Sequence, residues 1–299
     1  AARARAVGGD ALPAWTPGAH LDMRLPSGLA RQYSLCGDPA DSATYAVAVL
    51  REQESRGGSK EIFDEWTVGT EILSHPPRNH FSLADAPEYV LIAGGIGITP
   101  IKAMVEELER RSATWRLYYG GRTRESMAFV DELEALGGER TTIVPQDVDG
   151  LLDIAGIIGS LAADAVVYSC GPAALLDAVA EACSAAGVSD RLHFERFTAP
   201  SAPLEFDESG DIAFDVELRA SGVTLHVAAD QSILEVVQEI RPDIAFSCQE
   251  GYCGSCESNV LEGEPVHRGT LMTPEEHDAD GTMLICVGRS KSAKLVLDL

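Results

Sequence analysis

Four cysteines near the end of the chain limit its fold more than any other feature. Four residues separate Cys248 from Cys253, two separate Cys253 from Cys256, and Cys286 follows much later. This is the plant-type spacing for a [2Fe–2S] cluster, in which one loop supplies three thiolates and a distant strand supplies the fourth. Glycines between the cysteines allow the loop to wrap tightly and leave backbone N–H groups that can hydrogen-bond the sulfurs. The spacing therefore predicts that Cys248, Cys253, Cys256 and Cys286 ligate a [2Fe–2S] cluster.

Zinc and disulfides are the two alternatives for these cysteines. Structural zinc sites usually have ligands in two closely spaced pairs, whereas Cys286 stands alone. Disulfides fit poorly because the total of seven cysteines is odd and the sequence begins without an apolar signal segment. Metal ligation by these cysteines in a reducing compartment fits better than disulfides, so we expect a cytoplasmic protein. Cys36 and Cys183 fit no ligand set, and we expect each to be a small buried side chain.

Charge and hydropathy exclude several classes of partner. The 299 residues allow two or three domains, and the 45% of hydrophobic residues is ordinary for a globular protein. No apolar run approaches the length of a membrane span. The formal net charge of −24 and the pI of about 4.5 argue against nucleic acids and anionic membranes as partners. We therefore expect no nucleic acid and no membrane among the partners of this chain.

Residues 9–85 have the pattern of short strands separated by turns. Apolar and polar residues alternate over residues 20–25 and 44–51, which is the period of a half-buried strand. Residues 31–35 form a third such segment, and a brief helix is expected near residues 61–66. This pattern predicts an antiparallel β-barrel. The first eight residues carry almost no pattern and receive no element.

Residues 86–198 have a different pattern, in which strands and helices alternate. The continuous apolar run at residues 89–93 is typical of a strand buried on both faces. A helix follows, with Thr99 as its expected cap and Pro100 at its first position. Further strands are expected at 115–120, 141–144 and 165–169, and further helices at 127–136 and 172–186. The alternation predicts a parallel sheet with helices on its faces.

The remaining residues predict a linker and a small third domain. Residues 199–210 are rich in Pro, Ala, Ser and acid, so we expect a linker there. Alternating patterns follow at 214–218 and 223–227, and Ser232 with Glu235 has the form of a capping box that opens a helix. The whole chain is thus predicted to be a multi-domain α+β protein, with 211–299 as its last domain.

Two turns in the middle domain could bind a dinucleotide. The first is Gly94-Gly95-Ile96-Gly97-Ile98-Thr99-Pro100, where a strand ends before a helix whose N–H groups and dipole favour phosphate. It departs from the strict G-x-G-x-x-G fingerprint because Pro100 replaces the last glycine, and a tight packing turn is the alternative. The second, Cys170-Gly171-Pro172, also follows a strand. Both turns would open at the carboxyl edge of one parallel sheet, where such folds bind nucleotides.

A third candidate site combines Arg31-Gln32-Tyr33-Ser34-Leu35 with Arg56-Gly57-Gly58-Ser59. The first segment alone could be any strand of a barrel. The second places two glycines and a serine before a short helix, which is again a geometry suited to phosphate. Tyr33 offers a flat face for a ring, Ser34 a hydroxyl and Arg31 a fixed positive charge.

Taken together and in this order, these motifs resemble the phthalate dioxygenase reductase family, within the wider ferredoxin–NADP reductase superfamily. The resemblance covers nearly the whole chain. Its motifs are Arg31-x-Tyr33-Ser34-Leu35, Arg56-Gly57-Gly58-Ser59, Pro77-Arg78-Asn79, the turn from Gly94 to Pro100, Cys170-Gly171-Pro172, Glu195-Arg196-Phe197, the four cysteines and the closing Leu295-Val296-Leu297-Asp298-Leu299.

The resemblance implies FMN in the barrel, NADH on the parallel domain and a β-grasp ferredoxin at the C-terminus. It implies that NADH reduces FMN, with Ser34 bonding the accepting flavin nitrogen and Cys170 beside the nicotinamide. The flavin would be held by Arg31, Tyr33, Ser34, Leu35 and Phe197, and its phosphate by Arg56, Gly57, Gly58 and Ser59. The dinucleotide would be held by Gly94, Gly95, Gly97, Thr99, Pro100, Cys170, Gly171 and Pro172.

The resemblance also implies an acceptor, since a flavin can take a hydride and release electrons singly to the cluster. We expect a terminal oxygenase, most often of the Rieske type, as the partner. A haem monooxygenase is an alternative acceptor, and a redox-sensing or carrier protein without turnover is an alternative function. Too little chain precedes Pro17 for the family's first strands, so we expect either a divergent start or an excised module. Arg122 and Arg124 could contact a 2′-phosphate, but we follow the family in expecting NADH.

Overall fold

The computed structural model describes residues 1–52, 57–198 and 211–299, and the chain forms two compact units that divide near residue 201. Arg56 and the predicted linker at 199–210 lie outside the described residues. Each unit has its own hydrophobic core: three buried clusters lie in the first unit and one in the second.

The first unit begins with short antiparallel strands and one helix. Their bounds are β1 Ala2–Ala4, β2 His20–Arg24, β3 Ala30–Ser34, β4 Tyr45–Val47, α1 Gly58–Glu65 and β5 Leu73–Ser74. The pairs form a three-stranded sheet in the order β3-β2-β5 and a two-stranded sheet of β1 with β4, and no closed sheet is found among the described residues. Two expectations are corrected here: the strand expected at 44–51 is only β4, and the first residues, which received no element, contain β1 because it pairs with β4.

The rest of the first unit is a parallel sheet with helices. Its elements are β6 Glu88–Gly94, α2 Ile98–Arg110, β7 Thr114–Gly121, α3 Val130–Gly137, β8 Thr141–Pro145, α4 Gln146–Asp149, α5 Ile154–Gly159, β9 Ala165–Gly171, α6 Ala173–Ala185 and β10 Leu192–Arg196. The strand order is β10-β9-β6-β7-β8, and every neighbouring pair is parallel. The predicted parallel sheet is therefore present, with β6 at its centre.

Two helix starts differ from the expectations. A 3₁₀ turn at Gly95–Gly97 leads directly into α2, so Thr99 lies inside the first turn and its hydroxyl donates to the Ile96 carbonyl at 3.0 Å instead of capping the helix. The helix expected at 127–136 begins only at Val130, because Phe129 before it has a left-handed φ of 62°. In both places the backbone conformation just before the helix sets its first residue, earlier than expected for α2 and later than expected for α3.

The second unit is a small mixed sheet with short helices. Its elements are β11 Phe214–Leu218, β12 Val223–Val227, α7 Ile233–Gln238, β13 Glu257–Glu262, β14 Pro265–Val266, α8 Pro274–Asp280, β15 Thr282–Leu284, β16 Arg289–Ser290 and β17 Lys294–Leu297. Five strands lie in the order β12-β11-β17-β13-β15, and β14 pairs with β16. The predicted capping box is present, since the Ser232 hydroxyl accepts from the Glu235 N–H at 3.1 Å and the Glu235 carboxylate accepts from the Ser232 N–H at 2.7 Å.

Across the described ranges, no helix combines the length and the apolar character that crossing a bilayer requires.

Candidate redox site

The two glycine turns of the parallel sheet pack directly against each other. Gly94 ends β6 and Gly171 ends the neighbouring strand β9. A Cβ atom on Gly94 would lie 2.8 Å from Cδ of Pro172, and one on Gly97 would lie 2.3 Å from the Cys170 carbonyl oxygen. Glycine is therefore required for this close approach. This agrees with the alternative that the Gly94–Pro100 segment is a tight packing turn. The approach also brings both predicted turns to the carboxyl edge, where a parallel sheet binds nucleotides.

Cys170 is fully buried beside this edge. Its side chain is 0% exposed. Burial, together with the nearby Glu195 carboxylate, raises the pKa of the Cys170 thiol well above 9.0. The thiol is therefore neutral at physiological pH and serves as a packing group, not as a nucleophile.

A buried polar contact links the first strands to the parallel sheet. Ser34, the last residue of β3, donates from Oγ to Oε2 of Glu195 at 3.4 Å. Glu195 lies on β10 directly opposite Cys170 of β9. His20 of β2 adds a second contact, with Nδ1 at 3.6 Å from Oε1 of Glu195, and its side chain is only 5% exposed. The two predicted catalytic residues, Ser34 and Cys170, are thus both neighbours of one carboxylate.

Glu195 and His20 were not among the predicted site residues. Glu195 was visible in the sequence as part of the Glu195-Arg196-Phe197 motif. His20 gave no signal, because it was one of several scattered histidines together with His80, His193 and His267. Among the described residues, no three His, Cys, Asp or Glu side chains converge to hold one metal ion, so the histidines form no metal site there.

Phe197 follows the last residue of β10, two positions after Glu195. Its side chain is partly buried and packs against the core cluster that contains Cys170. Phe197 therefore packs against this core, and its expected contact with the flavin stays a prediction.

The segment predicted to hold the flavin phosphate lies against Arg31. A Cβ atom on Gly58 would lie 2.7 Å from Cγ and 2.9 Å from Nε of Arg31, so only glycine leaves room for the guanidinium there. Gly57 has a φ of 94°, which favours glycine, and no side chain among the described residues caps the N-terminus of α1. A helix N-terminus beside a guanidinium is suited to an anionic group. Arg31, Gly57, Gly58 and Ser59 are therefore brought together.

Tyr33 and Leu35 belong to the opposite face of β3 from Ser34. Leu35 is fully buried in the same cluster as Leu21, and Tyr33 packs against that cluster. Desolvation by burial raises the pKa of Tyr33 to about 12. Because side chains alternate along a strand, the structure groups Ser34 with His20 and Glu195 but separates it from Tyr33 and Leu35.

The four predicted ligand cysteines lie together as two pairs of thiols. The Cys248 thiol contacts that of Cys253, and the Cys256 thiol contacts that of Cys286. The hydrogen bond from Cys253 lowers the pKa of Cys248 to about 6 and raises that of Cys253. All four are buried, and none is in a disulfide. Two pairs of soft ligands suit two irons, whereas a single zinc needs all four ligands around one point.

Backbone geometry around these cysteines fits a tightly wrapped loop. Gly251 and Gly254 have φ angles of 77° and 74°, as expected for positions that require glycine. The Glu250 N–H donates to the Cys248 sulfur at 3.3 Å, which is the kind of bond that tunes a cluster. Thr270 donates from its backbone N–H to the Gly251 carbonyl at 2.9 Å and so supports the loop from outside. The described residues therefore fit a [2Fe–2S] cluster.

Comparison with known proteins assigns both units. Residues 91–150 match the oxidoreductase NAD-binding domain, and residues 216–291 match the 2Fe-2S iron-sulfur cluster binding domain. The crystal structure of phthalate dioxygenase reductase, described as a modular structure for electron transfer from pyridine nucleotides to [2Fe–2S], is 35% identical with a TM-score of 0.67 and covers 99% of this chain and 92% of its own. The chain belongs to the phthalate dioxygenase reductase family. It is an oxidoreductase whose cofactors are FMN, a [2Fe–2S] cluster and NADH.

Several relatives of this chain are named as subunits of oxygenase systems. The "Phenoxybenzoate dioxygenase subunit beta" of Ectopseudomonas oleovorans is 42% identical and aligns over 99% of this chain and 91% of its own length. The "Vanillate O-demethylase oxidoreductase" of Pseudomonas putida is 38% identical over 95% of this chain and 90% of its own. A solved intact type IV self-sufficient cytochrome P450 monooxygenase is 42% identical with a TM-score of 0.88. This chain covers 99% of its own length but only 38% of that P450 chain.

Proposed function

We propose that this member of the phthalate dioxygenase reductase family passes electrons from NADH through FMN and the [2Fe–2S] cluster to a terminal oxygenase. The observation that carries the proposal is the convergence of Ser34, Glu195 and Cys170 in the first unit. This convergence brings the predicted flavin strand to the carboxyl edge of the nucleotide-binding sheet. FMN, when bound, accepts a two-electron hydride and releases electrons one at a time, which is what a one-electron cluster requires.

The site residues of the first unit bind FMN or orient the groups that contact it. Arg31 and the α1 N-terminus at Gly57, Gly58 and Ser59 hold the phosphate of FMN, with Arg56 from outside the described residues. Ser34 hydrogen-bonds the flavin, and the Glu195 carboxylate accepts the Ser34 hydroxyl hydrogen bond and so orients that hydroxyl. Tyr33 and Phe197 supply apolar contact, whereas Leu35 is fully buried in the core beside Leu21 and contributes by packing there.

The nucleotide residues form the other half of the proposed site. The dinucleotide phosphates bind the N–H groups of the turn that holds Gly94, Gly95, Gly97, Thr99 and Pro100. The turn at Cys170, Gly171 and Pro172 borders the nicotinamide, and the neutral thiol of Cys170 excludes water from it. In the second unit, Cys248, Cys253, Cys256 and Cys286 ligate the cluster.

We also propose the domain boundaries and the finer folds. Residues 9–85 are the FMN domain, built as a β-barrel, residues 86–198 are the NAD domain, 199–210 the linker and 211–299 a β-grasp ferredoxin. An isolated antiparallel bridge between Leu35, which follows β3, and Val47 of β4 supports the barrel. It connects the sheet β3-β2-β5 to the sheet β1-β4. The central parallel pair β11 and β17 within an otherwise antiparallel sheet supports the β-grasp.

The acceptor is proposed to be a Rieske-type oxygenase, as the family resemblance implies, and the relatives named as dioxygenase and demethylase subunits support an oxygenase in general. A haem monooxygenase is the second candidate, and the high TM-score of 0.88 with the self-sufficient P450 chain favours it specifically. A redox-sensing role without turnover is the third reading, and NADH-dependent bleaching of the flavin spectrum rejects it. Mixing the NADH-reduced protein with a purified Rieske oxygenase or with a P450 haem domain distinguishes the first two, because only the true class of acceptor is reduced at a catalytic rate.

A further inference from the structure

The loop after β7 carries two arginines where dinucleotide-binding sheets distinguish NADH from NADPH. In such folds the residues at the end of the second strand contact the adenosine ribose, and an arginine there accommodates a 2′-phosphate. Here β7 ends at Gly121 and is followed by Arg122 and Arg124, within the matched NAD-binding region. Two arginines at this place would ordinarily favour NADPH.

Arg124, however, is already paired with carboxylates. Its Nη1 and Nη2 donate to the two carboxylate oxygens of Glu134 at 2.8 and 2.6 Å. Its Nη2 also donates to Oδ1 of Asp131 at 3.3 Å. Both acids lie on α3, and the bond from Arg124 lowers the pKa of Glu134, so this carboxylate stays ionised at neutral pH. The two N–H groups of Arg124 that could bind two oxygens of a phosphate thus already bind the two carboxylate oxygens of Glu134.

From this geometry we infer that Glu134 sets the preference of this enzyme for NADH by occupying Arg124. The inference rests on the proposed function, because it concerns the same nucleotide site. A 2′-phosphate carries a charge of about −1.5 to −2 at neutral pH. It would have to displace Glu134 from Arg124 and would then lie beside two carboxylates, those of Glu134 and Asp131. NADH has only a hydroxyl there and meets neither cost.

The size of the effect follows from the exposure of the pair. The side chains of Arg124 and Glu134 are 46% and 40% exposed, so water and salt screen their attraction. Removal of the Glu134 charge is therefore expected to raise the affinity for a 2′-phosphate about two- to fivefold at low ionic strength. The gain should shrink as salt is added.

The test is the binding of adenosine 2′,5′-bisphosphate and of 5′-AMP to the holoprotein, measured by calorimetry for wild type and Glu134→Gln. We expect tighter binding of the bisphosphate and unchanged binding of 5′-AMP, together with a higher kcat/KM for NADPH. Glu139→Gln is the matched control, since it removes an exposed carboxylate nearby and should change neither ligand. Adding Arg124→Ala to Glu134→Gln should abolish the gain.

If Glu134→Gln binds the bisphosphate as wild type does and still binds 5′-AMP, the role of Glu134 is overturned. The proposed nucleotide site would not be affected by that result. A gain that survives Arg124→Ala would also overturn it, because Arg124 would then not be the group released. Failure of the wild-type protein to bind 5′-AMP or to be reduced by NADH would instead reject the proposed function itself, and this inference with it.

Discussion

The hydroxyl of Ser34 lies 3.4 Å from the carboxylate of Glu195, although 161 residues separate them in the sequence. This contact connects β3, the predicted flavin strand, to β10 at the edge of the parallel sheet. Glu195 is in turn the strand neighbour of Cys170, and its Oε1 lies 3.6 Å from Nδ1 of His20. A carboxylate placed in this way can orient the Ser34 hydroxyl.

The first prediction concerns Glu195 itself. Glu195→Gln keeps the size of the side chain but removes its charge, so it holds the Ser34 hydroxyl less firmly. We expect flavin reduction by NADH to slow about tenfold, as for loss of a hydrogen bond to a charged group. Stopped-flow absorbance measures this rate, and flavin content should stay the same. Glu181→Gln, on the exposed face of α6, is the control and should match wild type. An equal rate in Glu195→Gln would show that the Ser34 contact is only structural.

The second prediction tests the packing of the two glycine turns. Gly97→Ala would place its methyl group 2.3 Å from the Cys170 carbonyl oxygen, so the turn has to move away from β9. We expect a loss of about 1–3 kcal/mol of stability and a marked weakening of NADH binding. Thermal unfolding and NADH titration measure these effects.

Gly159→Ala is the control for this substitution, because a methyl group there meets no atom within 4 Å. It should leave both quantities unchanged. Normal NADH binding by Gly97→Ala would contradict a role of this turn in the nucleotide site.

The third prediction concerns the protonation of Cys170. Burial raises the pKa of this thiol well above 9.0, with a further contribution from Glu195. The unfolded chain loses the proton at lower pH than the folded chain. The resulting contribution to stability is therefore complete below the unfolded pKa and is lost as the pH rises above it. We expect the folded protein to protect Cys170 from iodoacetamide at about pH 9, where a free cysteine reacts. Mass spectrometry of tryptic peptides measures the modification.

Protein unfolded in urea provides the comparison for Cys170 and should be fully alkylated. Rapid alkylation in the folded state at the same pH would mean that the thiol is accessible and ionised. The proposed role as a neutral, water-excluding group would then be wrong.

The fourth prediction tests the cluster as the outlet for electrons. Cys253→Ser replaces a soft thiolate by a hard hydroxyl, so the cluster should be lost or strongly destabilised. The first unit has separate cores and should still bind flavin, accept hydride from NADH and reduce ferricyanide. Reduction of cytochrome c should fall by orders of magnitude. Cys183→Ala, which removes a buried thiol from the first unit, is the control and should keep the cluster spectrum. Cytochrome c reduction without cluster absorbance would refute the proposed order of transfer.

The fifth prediction concerns the identity of the flavin. Arg31 lies against Gly58 at the N-terminus of α1, a cradle suited to one terminal phosphate. Flavin released by acid should therefore have the mass of FMN and be present in a ratio of about one per chain. Recovery of FAD in that amount would show that the site accepts a second nucleotide half.

Much of the fold could be predicted from local patterns in the sequence. The apolar run before Gly94 did form the central strand, and Ser232 did cap its helix, because each depends on residues a few positions apart. Thr99 was predicted wrongly as a cap. After the 3₁₀ turn, α2 begins at Ile98, two residues before the expected first position at Pro100. The close approach of Gly97 to Cys170, which sequence spacing does not reveal, shapes that turn.

The sequence by itself determined the ligand set for the cluster and the two turns at the sheet edge. Three of the ligands lie in one loop and each turn is a short segment, so covalent geometry and glycine conformations limit the possible structures, while Cys286 joins from thirty residues later. Only the tertiary structure decided which distant side chains meet. His20 became a partner of Glu195, and Glu195 of Ser34, because strands from separate parts of the chain pack together. Such contacts depend on packing over long separations, which no local spacing encodes. Arg124 and Glu134 are only ten positions apart, but their contact depends on the direction in which α3 leaves the loop after β7, which the sequence pattern did not reveal.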